Sequence, residues 1–231
     1  MKIPLSRRLE ACCDYVNQGD RVADIGCDHG YLGIYLLTRG IAKSVIAADL
    51  NEQPLHSATV NARRFGVSDR MRFYLSNGAV SIPRDFDVMV CAGMGGDTMI
   101  SILQAAPWLR SDQYRLVLQC QSKTPMLRQW LWEQGWQIRR ESLARDGKFV
   151  YSVLEAVYCP GSAPESWEYY ISKPLLEAPG PLLQEYYQRL VGGLKLKLEG
   201  LRRSGGEVPA EKEELLKQLE ALEVHVNGNC G

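Results

Sequence analysis

The chain has 231 residues, with 27 Lys and Arg balancing 27 Asp and Glu, so its formal net charge is zero. That balance gives no global support for a nucleic-acid partner. Hydrophobic residues make up 45%, which at this length supplies a real core without disulfide staples.

Taken in chain order, Leu5–Val16 predicts an opening helix, with Leu5, Leu9, Cys12, Cys13 and Val16 at helical spacing. Arg21–Ile25 predicts a strand, Gly26–Gly30 a turn and Tyr31–Thr38 a helix. A second strand, Ser44–Ala48, leads into a helix over Glu52–Phe65 that stops at Gly66. Strands follow at Met71–Leu75 and Phe86–Ala92, then a helix at Asp97–Ala105, a strand at Arg115–Leu118 and a helix from Thr124 to Gln134. Gln137–Glu141 and Phe149–Tyr158 are expected to pair as antiparallel strands around Arg145–Lys148. Strands alternating with helices predict an α/β fold with a mostly parallel sheet covered on both faces.

After Cys159 the prolines and glycines at 160, 161, 164, 174 and 179–181 interrupt regular structure. Leu183, Tyr187, Leu190, Leu194, Leu198 and Leu201 then recur at helical spacing, as do Leu215, Leu219, Leu222 and Val226. With Ser204–Pro209 between them, they predict an antiparallel helical hairpin. Past Gly205 the acidic residues outnumber the basic ones six to two, leaving a mildly basic body beside an acidic tail.

Seven cysteines at irregular spacing, with no Cys-x-x-Cys pair, argue against a zinc knuckle and point to a reducing compartment, the cytoplasm. His29, His56 and His225 are widely separated, so no metal site is expected. The start of the chain carries Arg7, Arg8 and Glu10 with no continuous apolar stretch, so neither a secretory signal nor a membrane partner is expected.

The densest cluster of chemistry is Asp24-Ile25-Gly26-Cys27-Asp28-His29-Gly30, between a strand and a helix. Glycines there permit a tight turn and close approach of a ligand to the backbone, and the following helix offers unpaired N–H groups. The spacing Asp-x-Gly-x-x-x-Gly differs from the Gly-x-Gly-x-x-Gly of a dinucleotide site. It favours S-adenosylmethionine, which has no pyrophosphate, over a nicotinamide dinucleotide. Asp24 would orient the loop or attract the cationic part of the ligand. Asp49, ending the next strand, is placed to accept hydrogen bonds from both ribose hydroxyls, and Asn77 in Ser76-Asn77-Gly78 can read an adenine edge. Gly30, Leu50, Gly78, Ala92 and Gly93 complete the expected cofactor-binding set. Each feature alone also suits an ordinary cap or turn.

The acceptor side is expected around Asp28, His29, Tyr31 and Met94. In Ala92-Gly93-Met94-Gly95-Gly96-Asp97 the glycines either leave room for a flat substrate or form a tight loop capped by Asp97. Met94 either lines the pocket or belongs to the core.

The sequence resembles the bacterial tRNA adenine-N1 methyltransferases that act at position 22 of tRNA. The resemblance covers nearly the whole chain. It begins with Leu5-Ser6-Arg7-Arg8-Leu9 and the segment from Val22 to Leu32. It runs on through Pro54, Ala58, Asn77-Gly78, Ala92-Gly93-Met94-Gly95-Gly96, Leu127-Arg128-x-Trp130-Leu131 and Gly147-Lys148-Phe149-Val150-Tyr151. It implies a Rossmann-like class I methyltransferase sheet with a C-terminal helical hairpin. Residues 1–160 would form the S-adenosylmethionine-binding catalytic domain, and residues 161–231 a linker and hairpin that recognise tRNA. Asp24, Gly26, Asp49 and Asn77 carry over as cofactor contacts, and Asp28, His29, Tyr31 and Met94 as active-site lining, with no metal. The chain departs from the family's Leu-Gln-Pro-Asn after strand five, where it reads Leu118-Gln119-Cys120-Gln121-Ser122. If that asparagine positions the base, Gln121 or Ser122 takes its place.

A tRNA partner asks for phosphate contacts. The candidates are Lys2, Arg7, Arg8, Lys123 and Arg128 near the active face, and Lys195, Lys197, Arg202 and Arg203 on the hairpin. The target base would have to rotate out of the folded RNA, with Tyr31 or Trp130 to receive it. Other readings stay open on sequence: a methyltransferase of the same fold acting on another RNA site or a small molecule, and a non-catalytic RNA-binding scaffold. Monomer and weak homodimer are undecided.

Overall fold

In a computed structural model, residues 2–161, 164–203 and 209–228 are described. A seven-stranded sheet forms the centre, in the order β3-β2-β1-β4-β5-β7-β6. Its strands are β1 (Arg21–Ile25), β2 (Ser44–Asp49), β3 (Met71–Leu75), β4 (Val88–Gly95), β5 (Arg115–Ser122), β6 (Trp136–Asp146) and β7 (Phe149–Tyr158). The first five are mutually parallel, and β7 runs antiparallel to both β5 and β6.

Period-two side-chain alternation sorts the apolar residues into two cores. Ala23, Ile25, Ile46, Ala48, Met89, Cys91, Leu116 and Leu118 point to one face, where α4 (Gly96–Gln104) and α5 (Thr124–Glu133) cover them. Val22, Val45, Ala47, Val88, Val90 and Val117 point to the other, beneath α1 (Arg7–Cys13), α2 (Tyr31–Thr38) and α3 (Glu52–Arg64). Burial on both faces explains why these strands read as continuous apolar runs.

Chain order reverses between β1 and β4, which lie side by side in the sheet. The connections leaving their carboxyl ends therefore diverge and open a crevice there, the usual ligand position in such sheets.

The structure differs from the sequence expectation in several places, among them β5, which runs on from Leu118 to Ser122. The opening helix is shorter, Arg7–Cys13. Strand β4 does not stop at Ala92 but continues to Gly95, with register shifts around Met94 and a φ of 81° at Gly93. The glycine run is thus a bulged strand end rather than a free loop. The β6–β7 hairpin is longer than expected and turns at Gly147 and Lys148, with Gly147 at a φ of 59°. The linker also holds a 3-10 turn at Ser166–Tyr169 and a short helix α6 (Lys173–Glu177).

Helices α7 (Leu183–Arg203) and α8 (Pro209–Gly228) pack together around Leu194, Leu198, Leu219, Leu222 and Val226. Residues 204–208, within the expected connection, lie outside the described residues. The same apolar cluster takes in Val150 of β7 and Trp167, Ile171 and Leu175 of the linker, so the helices are seated on the sheet's antiparallel edge. A buried polar network reinforces that seat. The Arg128 guanidinium of α5 pairs with Glu141 of β6 and donates to the carbonyls of Tyr169 (3.0 Å) and Tyr170 (2.7 Å) and to the Tyr186 hydroxyl of α7 (3.1 Å). The Ser152 hydroxyl of β7 donates to the same Glu141. Arg128 is fully buried and therefore is not the phosphate contact its charge suggested. Trp130, half-buried, packs against the core under α5.

Candidate active site

A cavity of about 410 Å³ opens where the connections after β1, β2, β3 and β4 converge. It brings Asp24, Gly26, Asp28, His29 and Tyr31 together with Asp49, Leu50, Asn77, Gly78, Ala92, Gly93 and Met94. Of the expected cofactor-binding and acceptor-side residues, Gly30 alone stands back from the wall, and Gln121, Ser122 and Trp130, named for the target base, do not line it. The Gly30 φ of 72° starts α2, and a β-carbon there would lie 2.9 Å from Ala58 Cβ of α3. Its place is the turn and the close approach of two helices.

Asp24 ends the inward face of β1 and is 4% exposed. One carboxylate oxygen, Oδ2, is buried with no hydrogen-bond partner among the described residues. Burial pushes this carboxyl up to about 7; a backbone hydrogen bond at Gly33 lowers it, and the nearby Asp49 charge raises it further. An unsatisfied buried carboxylate is costly unless something else completes it.

Asp49 sits at the end of β2 and holds two loops at once. Its Oδ2 accepts from the Asp28 N–H (3.2 Å) and its Oδ1 from the Asn51 N–H (3.0 Å), just before α3. The first bond fixes Asp28 at a φ of 49°, a conformation uncommon for a residue with a side chain. Asp28 thereby stands exposed at the mouth, its Oδ1 3.6 Å from His29 Nε2. The His29 and Tyr31 rings lie 5.8 Å apart on the same rim.

The floor is kept open by glycine. Gly26 adopts a φ of 71°, and a β-carbon there would run into Met94 Cε. The Met94 sulfur lies 3.5 Å from Cys91 Sγ, and the side chain packs on the core while lining the cavity. Both expectations for Met94 therefore describe one position.

The sequence reading missed part of the wall. Thr98, Ser101 and Ile102 of α4 line it, and their i, i+3, i+4 spacing places them on one helix face. Arg8 lines it too, although sequence suggested only a phosphate contact. Its guanidinium donates to Gln119 Oε1 (3.0 Å), pairs with Asp146 (3.3 Å) and lies over Gly93. Gln119, wholly buried, also accepts from the Gly93 N–H (3.1 Å). This bond clamps the end of β4 to β5. Three carboxylates thus face the cavity, and the guanidinium on its wall is already paired with Asp146. The site favours a cationic guest.

Residues 5–154 match the methyltransferase domain family. The chain belongs to that family. The matched residues end within β7. The tRNA (adenine(22)-N(1))-methyltransferase of Bacillus subtilis is 29% identical over 156 residues, 67% of this chain and 66% of that protein. The chain thus aligns with just under two thirds of that relative's length. Likeness in structure runs further. A putative tRNA (m1A22) methyltransferase from Streptococcus pneumoniae superposes with a TM-score of 0.84 at 27% identity, covering 96% of this chain and 99% of that one. The same Streptococcus protein in complex with S-adenosyl-L-methionine gives a TM-score of 0.81 at 28% identity, with 96% and 99% covered.

Proposed function

We propose that the protein transfers a methyl group from S-adenosylmethionine to N1 of the adenine at position 22 of tRNA. The observation that carries this reading is the acidic cavity at the β1/β4 switch point, with its orphaned Asp24 oxygen. It lies in a chain that superposes over nearly its full length on a putative tRNA (m1A22) methyltransferase.

The residues present fit the donor. The unpartnered Asp24 oxygen suits the ammonium of the methionine moiety, and the Asp49 carboxylate suits the ribose hydroxyls. Leu50 is 62% exposed and offers an apolar surface for the adenine, with Asn77 beside it to bond its edge. Gly26 leaves the floor free of a side chain. S-adenosylmethionine supplies an activated methyl carbon on a sulfonium, so no metal and no covalent enzyme intermediate is needed.

The protein's task is alignment and exclusion of water. Adenine N1 carries an in-plane lone pair and attacks without prior deprotonation. A proton then leaves the exocyclic amine, and the exposed Asp28 carboxylate is placed to accept it. Asp49 holds the Asp28 backbone, so donor binding and the proton acceptor's position are mechanically linked. Tyr31 and His29 on the rim supply ring faces for the rotated base. Seating the rest of the tRNA falls to α7 and α8, where Lys195 and Lys197 are exposed. The six described cysteines are free thiols, and five of them are buried, which suits the reducing cytoplasm.

The test is transfer of labelled methyl from donor to a tRNA transcript carrying adenine 22 and to one carrying guanine there. Label on the first and none on the second is expected. Equal labelling of both, or of neither while the donor still binds, contradicts the assignment.

A further inference from the structure

A second cavity, of about 320 Å³, lies between the end of β5, the start of β7 and the flank of α7. We propose that it is a nucleobase subsite, holding the base next to the methylated adenine in the RNA; the proposal rests on the functional reading above.

Its position is the first argument. Gly95 of β4 pairs with Ser122 of β5 in the sheet, Ser122 lines the second cavity, and Met94, one residue earlier, lines the first. At a strand rise of about 3.3 Å per residue, the two hollows are neighbours along one sheet edge. Adjacent nucleotides of an unstacked strand span such a distance.

Its charge is the second argument. Among the described residues no carboxylate lines it, whereas Arg189 does, together with Lys123, which is paired with Asp97. The first cavity is acidic and takes a cation. The second lacks that acidity and has Arg189 on its wall to meet part of a polyanion.

Its aromatic rim is the third. Phe149, 37% exposed, lies with its ring 6.0 Å from that of Tyr151, which lines the cavity. Arg189 sits over the Phe149 ring at 4.8 Å and Lys148 at 5.3 Å. Beside the cavity wall, an exposed ring with two cations over it supplies the aromatic and basic surface by which proteins hold unpaired nucleotides. The exposed Gln121 amide makes no side-chain hydrogen bond among the described residues. It offers both a donor and an acceptor to a base edge. The volume suits one base and excludes a duplex.

Gly193 of α7 gives a clean probe, because a β-carbon there meets nothing within 4 Å. Gly193→Trp fills the cavity, and replacing a glycine inside a helix favours folding. Steady-state methylation of tRNA and calorimetric titration with S-adenosylmethionine are measured for the full chain and for Gly193→Trp, Gly193→Ala and Gln121→Ala. Gly193→Trp is expected to raise KM for tRNA roughly tenfold, the scale of one missing base stack, with donor affinity unchanged. Gly193→Ala should behave as the parent. A tRNA abasic at the neighbouring nucleotide should be penalised in the parent and not further in Gly193→Trp. Gln121→Ala should weaken the parent's discrimination among bases at that nucleotide. Unchanged KM in Gly193→Trp overturns the subsite, and so does a matching loss of donor affinity, which marks damage shared with the first cavity. If the parent chain itself methylates no tRNA, the functional reading fails, and the subsite with it; the parent's own data show this separately.

Discussion

Asp24 sets the behaviour of the site at the scale of single residues. Burial raises its carboxyl from 3.8 to about 7, so ligand-free protein holds a proton there at mildly acidic pH. A cationic donor favours the ionised form. Affinity for S-adenosylmethionine should therefore rise as pH increases through about 7 and level off above it, and calorimetry at several pH values reads this directly. Asp24→Asn should bind more weakly and lose the slope; an unchanged pH profile in that variant contradicts the role. The stability linkage runs the other way. The folded carboxyl keeps a proton that the unfolded chain releases above 3.8. Its contribution is full below that value and is lost as pH rises through about 7. Asp49 has a different duty. Asp49→Ala removes the proposed ribose acceptor and frees the Asp28 backbone. Donor affinity should fall about tenfold or more, and unaltered affinity would remove Asp49 from the site. Both acids were singled out in the sequence by their places, Asp24 one residue before the end of a predicted strand and Asp49 at the end of the next, and both line the cavity. The place of Arg8 and Gln119 in the site was not legible. Arg8 reaches the cavity from α1 and Gln119 holds it from β5 behind the wall, and no local pattern tells that Gln119 Oε1 bridges Arg8 and Gly93.

Among the elements, strand and helix identities followed from hydrophobic period, and their ends did not. β4 and β5 run past their expected ends because each pairs with the other through Gly95 and Ser122, a tertiary contact invisible to a local window. Helix α6 was missed beneath the proline-rich composition. Yet its signal was present: the Ser172 side chain accepts from the Leu175 N–H, and Pro174 sits in the first turn. Arg128 is the clearest case of charge misread as surface. Its partner Glu141 lies on β6 and its other acceptors lie in the linker and α7, all distant in sequence. Arg128→Met leaves Glu141 buried without its cation and should cost about 3–5 kcal/mol of stability in urea unfolding. Arg128→Met with Glu141→Leu should cost less than the single change. A single variant within about 1 kcal/mol of the parent would show that the network carries little.

For the molecule as a whole, the helices past the linker share a core and the Arg128 network with the sheet. Cutting them away would expose both, so charge reversal is the better probe of their role. Lys195→Glu with Lys197→Glu should weaken tRNA binding and leave donor affinity intact. The slope of log affinity against log salt should flatten by about one for every phosphate these lysines neutralise. Unchanged tRNA affinity would move the RNA surface elsewhere. The proposed division of labour follows from position: the acidic crevice at the chain reversal would take the donor, and exposed lysines of α7 beside the antiparallel edge would meet the RNA. The most direct measurement is an experimental structure of the protein with S-adenosylmethionine or its demethylated product. The predicted result is the nucleoside in the first cavity, its ribose hydroxyls on the Asp49 carboxylate and its ammonium facing Asp24. The ligand seated elsewhere, or in that cavity with neither carboxylate touching it, would contradict the account.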